Sequence, residues 1–461
     1  MAPMTDTSAP SQTESDGLDP VLLQDLLDAV DERDTRWLSR TLKRMHPADA
    51  ADALETLPYD LFEDAVEILG DELPSDILIE LRDAYREGAV EMLTDEAVAQ
   101  ALDELDSDDA TTILEDLEDD RRERILEDLA PVDRAELERS LAYEEDSAGR
   151  LMQTEFVAVP EFWTVGETID HARGRGEELP ETFYEIYVVD PAHRLLGIVQ
   201  LSALMRQPRE TALEDIMEDA MTTLTPDLDQ EEVAFRFQKY SLASAPVTDH
   251  AGRLVGMITV DDMVDVIQEE HSEDLLALSN VSSADASDTV FETVKARVPW
   301  LGVNLLTAFI ASGIIAMFEG AIEQIVALAI LMPVVAALGG NAGSQGLAVA
   351  VRAIATRELD GTAARRAVLR EALAGLINGL IIGVGVGVAA LIWFQDVKLS
   401  LVISAAMLGT FIWAGLSGIL VPLTLKRLGA DPAVASSVFV LTLTDVMAFF
   451  SFLGLASLVL L

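Results

Sequence analysis

The 461-residue sequence predicts a multidomain membrane protein: an α-helical N-terminal domain, an α/β region with an internal repeat, an acidic connecting helix and a five-helix all-α transmembrane domain. Three observations support this fold class. Residues 295–461 hold ten Lys/Arg and eight Asp/Glu, whereas the preceding 294 residues hold 21 and 73. A strand–turn–strand–helix pattern recurs after about 65 residues. Five apolar stretches near the C-terminus are each long enough to cross a bilayer.

The charge of the chain limits its function. Its formal net charge is −50, which makes nucleic-acid binding implausible because phosphate binding needs a basic surface. The absence of Cys from the sequence excludes a disulfide scaffold, thiol catalysis and Cys-ligated zinc. Only five of the 31 bases are Lys, and such an acidic surface is typical of a halophilic protein. Clustered carboxylates also bind hard divalent cations, but for any single acid we favour the solvation role.

The N-terminal region divides into a tail and a helical domain. Residues 1–17 are polar and predict a disordered tail; without an apolar segment they are no signal peptide, so we expect a cytoplasmic N-terminus. Residues 18–145 carry apolar residues at helical spacing, divided by turns such as Leu57-Pro58 and Leu73-Pro74. Weak repeats favour a small helical superhelix, and a plain helical bundle is the alternative.

The pattern changes at residue 146. Two β-rich segments, 185–190 and 195–199, flank a turn, and the same order recurs at 244–249 and 254–260. This repeat resembles a tandem pair of CBS domains, with copies over about 146–210 and 211–268. Such pairs commonly bind adenine nucleotides, so ATP is a candidate ligand.

An acidic helix and a polar linker, residues 261–290, lead into the transmembrane domain, residues 291–461. The apolar stretches cover about 300–318, 322–354, 373–394, 399–423 and 434–461. Nine of the ten bases in this half fall on the side of the N-terminal domains. Because basic loops stay inside the cell, the N-terminal domains are predicted to be cytoplasmic and the C-terminus outside.

Asp445 is the most unusual residue of the predicted spans. A carboxylate near the bilayer centre costs about 2.5–3.5 kcal/mol even on the lenient insertion scale, so it should face a cavity or a partner. Span five offers no Lys, Arg or His to neutralise it. The options are a protonated acid, a carboxylate that faces a cation in a water-filled path, or a satisfied polar residue between packed helices.

The segment 332–346 is the second unusual feature. Pro333 and the glycines around Gly340 predict a break in the helix at membrane depth, where irregular backbone can line an aqueous cavity and turn carbonyls toward an ion. Asn341, Ser344 and Gln345 add neutral oxygens. Glycine-mediated helix packing is the alternative. Together with Asp445, the segment favours cation conduction.

These motifs resemble the MgtE family of magnesium channels. The resemblance rests on five segments, which are Gly339-Gly-Asn-Ala-Gly-Ser-Gln345, Asp431-Pro-Ala-Val-Ala-Ser436, Thr442-Leu-Thr-Asp445, His46-Pro-Ala-Asp49 and Val260-Asp-Asp-Met-Val-Asp-Val266. It covers nearly the whole chain in one order: a helical N domain, a CBS pair, a connecting "plug" helix and five spans.

The resemblance implies a homodimer in the cell membrane that imports Mg²⁺ through a pore at the dimer interface. Asp445 of each protomer would form the selectivity site, with Gly340, Asn341, Ser344 and Gln345 along the same path. A hydrated Mg²⁺ held by one or two carboxylates fits the reluctance of this ion to dehydrate.

The resemblance also implies that cytoplasmic Mg²⁺ closes the channel. The matching regulatory acids are Asp262, Asp265, Glu270, Glu273 and Asp274, with Asp108 and Asp109 as weaker candidates. In physical terms this is a two-state switch: facing carboxylates repel each other until Mg²⁺ bridges them.

The chain departs from the family pattern at three places that bear on ion preference and sensing threshold. They are Ser436-Ser437-Val438 before the apolar run of span five, Leu441 four residues before Asp445, and Ser241 in place of an acid. The alternatives are a Co²⁺, Ni²⁺ or Mn²⁺ pathway and a non-conducting CBS nucleotide sensor. An enzyme is not expected, because the five His residues are scattered without metal-ligand spacing or a nucleophile partner.

Overall fold

The computed structural model describes residues 19–175, 179–180, 182–220, 222–279, 281, 290–359 and 361–461, except for the side chains of Glu292 and Ala435. The predicted tail, residues 1–17, and most of the predicted linker, residues 282–289, lie outside the described residues. The chain divides into two compact units, Met1–Ile267 and Gln268–Leu461.

The first unit begins with ten short helices. They are α1 (Pro20–Asp31), α2 (Thr35–Leu42), α3 (Pro47–Glu55), α4 (Tyr59–Leu69), α5 (Ser75–Ile79), α6 (Asp83–Met92), α7 (Asp95–Glu104), α8 (Ser107–Glu115), α9 (Asp119–Asp128) and α10 (Pro131–Ser140). Helices α1, α3 and α10 each begin with a proline. The missing N–H costs nothing there, because the N–H of the first helical residue has no acceptor within the helix. The apolar stripes meet in one core that includes the fully buried Leu54, Phe62 and Ile113.

Buried arginines connect these short helices. The Nε of Arg86 donates to Asp116 at 2.6 Å, and both side chains are mostly buried. Arg121 pairs with Asp95 at 2.8 Å and donates to the carbonyls of two residues at the end of α6 and just after it, Val90 and Leu93. Because a buried cation must be paired, these contacts fix neighbouring helices relative to one another within the domain.

The repeat predicted from the sequence is confirmed as two β-hairpins with their helices. The elements are α11 (Ala148–Leu151), β1 (Ala158–Pro160), α12 (Val165–Gly174), β2 (Glu185–Val189), β3 (Leu195–Gln200), α13 (Leu201–Leu204), α14 (Gln230–Tyr240), β4 (Ser244–Thr248) and β5 (Leu254–Thr259). One sheet has the order β1-β2-β3, with β1 parallel to β2, and the other pairs β4 with β5. Both hairpins are antiparallel and carry an irregularity at the same relative position, before Val189 and before Thr248.

The two hairpin turns have the same chemistry. Asp190 accepts hydrogen bonds from the backbone N–H of Ala192 and Arg194, and Asp249 does the same for Ala251 and Arg253. Such Asx turns set the register of the strands that follow. The copies also contact each other directly through two backbone hydrogen bonds: the N–H of Leu195 donates to the carbonyl of Gly252, and that of Leu254 donates to the carbonyl of His193.

Helix α15 (Val260–Leu278) contributes residues to both units. At its start, Met263 and Val266 are buried in the core of the second repeat copy. Near its end, Ala277 and Leu278 pack against a cluster that includes Leu347 and Ala433. This is the helix predicted as the plug, and it is continuous over its length.

The second unit holds the transmembrane helices. They are α16 (Val290–Met317), the short α17 (Glu319–Gln324), α18 (Ala327–Ala355), α19 (Thr362–Phe394), α20 (Val397–Leu428) and α21 (Pro432–Val459). Within the described residues, five helices are long and apolar enough to cross a membrane, as predicted.

Small residues let these helices approach closely. A Cβ on Gly375 of α19 would lie 2.5 Å from the carbonyl oxygen of Phe411 in α20, so only glycine fits there. Further along the same contact, Ser400 donates to the carbonyl oxygen of Gly387 at 2.6 Å, and Ser404 donates to that of Gly383 at 2.9 Å. Close backbone contact and interhelical hydrogen bonds are how helices associate where there is no hydrophobic effect between them.

The predicted helix break at 332–346 is wrong. Helix α18 runs without interruption through Pro333 and the glycines. Pro333 lies in the second turn, where it has no N–H to donate and its ring crowds the carbonyl of Ala329, and the helix continues through it. The glycines serve packing instead. A Cβ on Gly339 would lie 2.6 Å from Thr410 Cγ2, and one on Gly343 would lie 2.9 Å from Thr444 Cγ2. The backbone carbonyls of this segment therefore belong to the helix, and side chains must provide the oxygens for an ion.

Candidate functional site

Asp445 lies midway along α21 and is half-buried. At this level α21 packs against α18: the ideal Cβ position of Gly340 is 3.4 Å from Leu441 Cδ2, and that of Gly343 is 3.0 Å from Val440 Cγ1. Leu441 is one helical turn before Asp445, so the carboxylate lies next to the contact between the two helices.

The polar residues of α18 share one face. Asn341, Ser344 and Gln345 are exposed at a spacing of three and four residues, whereas Gly340, Gly343 and Gly346 are buried on the opposite side. The structure thus separates the predicted path residues into two roles. Gly340 is a packing residue, and the three polar side chains form an open oxygen-bearing face beside the α18–α21 contact.

Two of the three departures from the family pattern lie on α21 in the second unit, and the third, Ser241, is the exposed residue that follows α14 in the first unit. Ser436, Ser437 and Val438 are all buried near the start of α21. Leu441 is 37 % exposed and rests on Gly340, so its side chain lies at the edge of the α18–α21 contact. This position makes Leu441 a wall residue for anything that reaches Asp445.

A first acidic cluster lies in the first unit, where the first turn of α8 meets the first turn of α15. It contains Asp108, Asp109 and Asp262. Burial and the neighbouring Asp262 carboxylate raise the pKa of Asp108 well above its usual range, and the same causes raise the pKa of Asp109 to about 7. Burial also raises the pKa of Asp262 to about 6, against a hydrogen bond of 2.8 Å from Thr259.

Further carboxylates surround this cluster, and sequence reasoning missed most of them. Asp106 and Asp261 act on it, as does Glu80 at the end of α5. Asp265, which was predicted as a regulatory acid, also lies near this cluster. Its carboxylate repels that of Glu80, whose pKa is raised mainly by burial. Glu80 precedes the others by 26 residues or more, so no local motif connects it to them.

The donor chemistry of the cluster fits a bound Mg²⁺. The charges that act most strongly on Asp108, Asp109 and Asp262 are themselves carboxylates, so their described neighbours leave the charge of these three groups largely uncompensated. In the described part of the chain, no three Asp, Glu or His side chains are already arranged as a complete metal site. Mg²⁺ does not require one, because it keeps several waters and uses only one or two carboxylates.

A second acidic pair lies in the second unit. Burial raises the pKa of Asp274, near the end of α15, and the carboxylate of Asp431 adds to the effect. Asp431 also caps α21, where its side chain accepts a hydrogen bond of 2.7 Å from the backbone N–H of Ala433. Asp274 was predicted as a regulatory acid, but the motif at 431–436 gave no indication of its charged partner.

Two predicted acids are not brought into the first cluster. Glu270 and Glu273 lie on the part of α15 that belongs to the second unit, and Glu273 is exposed next to Asp274. The predicted set therefore divides into two groups near the two ends of α15, one around Asp262 and one around Asp274.

Comparison with known proteins gives three family matches. Residues 332–455 match the MgtE family of divalent cation transporters, residues 45–146 match the MgtE intracellular N domain, and residues 213–269 match the CBS domain. These matches cover the parts of the chain that hold the α18–α21 contact and most of the first acidic cluster.

Individual relatives are similar over most of their length. The chain is 39 % identical over 336 residues to the magnesium transporter MgtE of Thermus thermophilus, covering 72 % of this chain and 74 % of the relative. It is 33 % identical over 325 residues to the magnesium transporter MgtE of Enterococcus faecalis, covering 70 % and 72 %. A crystal structure of the cytosolic domain of the Mg²⁺ channel MgtE in complex with ATP is 35 % identical, with a TM-score of 0.49, and covers 53 % of this chain and 99 % of that one.

Proposed function

The chain belongs to the MgtE family of divalent cation transporters, and we propose from this that it carries Mg²⁺ across the cell membrane. The similar proteins of two organisms are magnesium transporters, and the chain covers nearly three quarters of each. Its five apolar helices make it a multi-pass membrane protein whose N domain matches an intracellular domain. We infer that it is a transporter rather than an enzyme.

The single observation that carries the transport site is the position of Asp445. Asp445 lies at the middle of α21, next to the contact of this helix with the glycine face of α18 and beside the polar face of α18. An ionisable residue at that depth is retained where it meets an ion or a water-filled path. We assign Asp445 as the group that binds the passing Mg²⁺ through its remaining waters, with Asn341, Ser344 and Gln345 as oxygens along the path.

We propose a homodimer as the functional form. The polar face of α18 is exposed in one chain, although exposed amide and hydroxyl side chains are unfavourable against lipid. A second copy that faces it would enclose a path with one Asp445 from each protomer, and two carboxylates are enough to hold a hydrated Mg²⁺. The C-terminus then lies outside the cell, because five spans separate it from the cytoplasmic domains.

We propose that cytoplasmic Mg²⁺ closes this path through α15. The two acidic groups lie near the two ends of one continuous helix, around Asp262 and around Asp274. Without Mg²⁺, repulsion among buried carboxylates opposes the arrangement seen here; with Mg²⁺ bound, the repulsion is removed and the arrangement is favoured. Because Asp431 begins α21, the Asp274 group couples α15 directly to the helix that carries Asp445.

The domain bounds follow the same proposal. They are 18–145 for the N domain, 146–268 for the CBS pair, 261–290 for the plug helix with its linker and 291–461 for the transmembrane domain. We also propose that the CBS pair binds ATP. Calorimetric titration of the full-length protein with ATP tests this proposal.

The test is divalent flux into liposomes that hold a fluorescent Mg²⁺ indicator. We compare the wild-type protein with Asp445→Asn at low and at high Mg²⁺ on the face that carries the cytoplasmic domains. Asp445→Asn should reduce flux to the level of empty liposomes, and the wild type should conduct only when that Mg²⁺ is low. Glu323→Gln is the matched control, because it removes one exposed acid from the short helix α17.

The same experiment separates the alternatives. Unchanged flux in Asp445→Asn would contradict the assigned site, and no flux in the wild type would favour the non-conducting CBS sensor. Repeating the measurement with Co²⁺, Ni²⁺ and Mn²⁺ tests the other pathway, because a site of oxygen ligands alone should favour the hard Mg²⁺ ion.

A further inference from the structure

A shallow groove runs along one face of α19, near the N-terminal end of this helix. Its volume is about 470 Å³, and it is lined by Arg366, Leu369, Arg370, Leu373, Ala374 and Ile377. The spacing of three and four residues places them in one stripe along the helix. Ala374 is the one small residue of the set, so it leaves room between the longer side chains.

Among the described residues, little packs against the groove. Leu369, Leu373 and Ile377 are 62 %, 50 % and 57 % exposed. At about 100° per residue, the centre of this stripe lies about 170° around the helix from Gly375, which packs against α20. One face of α19 is thus committed to α20, and the opposite face is an open apolar surface in a membrane domain.

One end of the groove is basic. Arg366 and Arg370 are exposed and lie one helical turn apart. The carboxylate of Glu371 approaches Arg370 Nε at 3.5 Å, longer than the roughly 2.7–2.9 Å of a charge-assisted hydrogen bond, so it holds the guanidinium only weakly. Two neighbouring guanidinium groups match the geometry of a phosphate, which they can bind through paired N–H donors.

The length of the groove corresponds to one leaflet of a bilayer. From Arg366 to Ile377 the helix rises by roughly 16 Å at 1.5 Å per residue. Half of a hydrocarbon core of about 30 Å is about 15 Å. A molecule with its phosphate at the arginines would therefore have an acyl chain that reaches the end of the groove near the bilayer centre.

We propose that this groove binds one anionic phospholipid, with its phosphate between Arg366 and Arg370 and an acyl chain along Leu369, Leu373 and Ile377. The apolar stems of the arginines lie along the groove while their charged ends reach the headgroup level, which is the usual arrangement at a membrane interface. Basic pockets at the cytoplasmic ends of spans bind acidic headgroups for the same electrostatic reason.

The test uses the full-length protein in detergent micelles and native mass spectrometry with phosphatidylglycerol or phosphatidylcholine of identical acyl chains. The wild type should bind phosphatidylglycerol more tightly. Arg366→Gln should weaken that binding about fivefold, and Arg366→Gln with Arg370→Gln about 25-fold, with phosphatidylcholine unchanged. Arg365→Gln is the matched control: Arg365 is exposed beside Arg366 but outside the groove, so its loss should change binding less than twofold.

A second pair of variants tests the apolar half of the site. Ala374→Phe should fill the groove and weaken both lipids, whereas Leu376→Phe, at an exposed position outside the groove, should not. Equal affinity for the two lipids, or an equal effect of Arg365→Gln and Arg366→Gln, would overturn the proposal. So would a change of oligomeric mass in Ala374→Phe at unchanged lipid binding, because a second copy would then be the occupant.

Discussion

The first acidic cluster predicts that Mg²⁺ binding is linked to protons. Asp109 and Asp262 have pKa values of about 7 and about 6 in the folded protein. Because Mg²⁺ binds the ionised carboxylates, each protonated acid must lose its proton when the ion binds. The apparent affinity for Mg²⁺ should therefore fall as the pH is lowered from 8 to 6.

The magnitude follows from the two pKa values. At pH 8, about 90 % of Asp109 and about 99 % of Asp262 are ionised, and at pH 6 these fractions are about 9 % and about 50 %. The fraction with both groups ionised falls from about 0.9 to about 0.05, so the affinity should fall at least 20-fold. The raised pKa of Asp108 acts in the same direction.

The assay is isothermal titration of the full-length protein with Mg²⁺ at pH 8, 7 and 6, in two buffers of different ionisation enthalpy. The buffer difference counts released protons, which should rise from about 0.1 at pH 8 to about 1.4 at pH 6 for these two groups. Asp109→Asn should remove the roughly tenfold contribution of Asp109 to the pH dependence and leave only that of Asp262 and Asp108.

Asp103→Asn is the matched control, because it removes an exposed acid from the neighbouring helix α7. It should keep the full pH dependence of the wild type. Two results would refute the reasoning: an affinity that is constant between pH 8 and pH 6, or the same proton release in Asp109→Asn as in the wild type.

Three further predictions test stability, gating and the path. Without Mg²⁺, the unfolding temperature should fall as the pH rises from about 4 to about 7, because the raised pKa values mean that the folded state binds more protons than the unfolded state in this window. Mg²⁺ at 100 times its Kd should raise the unfolding temperature by about 5–10 °C at pH 7.5, measured by differential scanning fluorimetry. Asp431→Asn keeps a good helix cap but removes the charge beside Asp274. Protection of residues 262–290 from protease should therefore require more Mg²⁺ than in the wild type. An unchanged Mg²⁺ concentration at half-protection would count against this group as a sensor. Leu441→Ala should raise Mg²⁺ flux and weaken discrimination against other divalent ions. Gly340→Ala, which adds a Cβ 3.4 Å from Leu441, should lower flux or leave it unchanged. If both variants conduct less than the wild type in the liposome assay, this prediction is wrong.

Strong periodic patterns explain why most of the fold could be predicted from the sequence. The repeat is visible because each hairpin needs its own Asx turn, at Asp190 and at Asp249, between two short β-rich runs. The five spans are visible because a helix in lipid must be apolar over about 20 residues. These signals are local, so one sequence is enough to detect them.

The continuity of α18 was not predictable from its composition. Proline and several glycines within 15 residues are equally expected in a broken helix and in a helix that packs closely on its neighbours. What decides between them is tertiary: Gly339 faces Thr410 of α20, and Gly343 faces Thr444 of α21. Thr410 and Thr444, against which these glycines pack, are about 70 and about 100 positions away from them in the sequence.

The candidate sites show the same limit. Asp445 stands out alone, because an acid in an apolar span is rare. The regulatory acids do not, because the first 294 residues contain 73 acids of similar appearance. Glu80 and Asp431 became candidates only through contacts with Asp265 and Asp274, across 185 and 157 residues of chain.

The surroundings of the carboxylates distinguish the proposed sensor acids from the other acids of the chain. Several acids of the first unit are neutralised by arginine, as Asp116 is by Arg86, and such pairs hold helices together at any Mg²⁺ concentration. Asp108, Asp109 and Asp262 are instead buried against other carboxylates. A group left in that state destabilises the fold unless a proton or a cation joins it, and a bound Mg²⁺ would relieve this cost as a proton does. A net charge of −50 therefore conceals two populations: acids that are solvated or paired with arginine, and buried acids faced by other acids, which are the ones we propose as sensors.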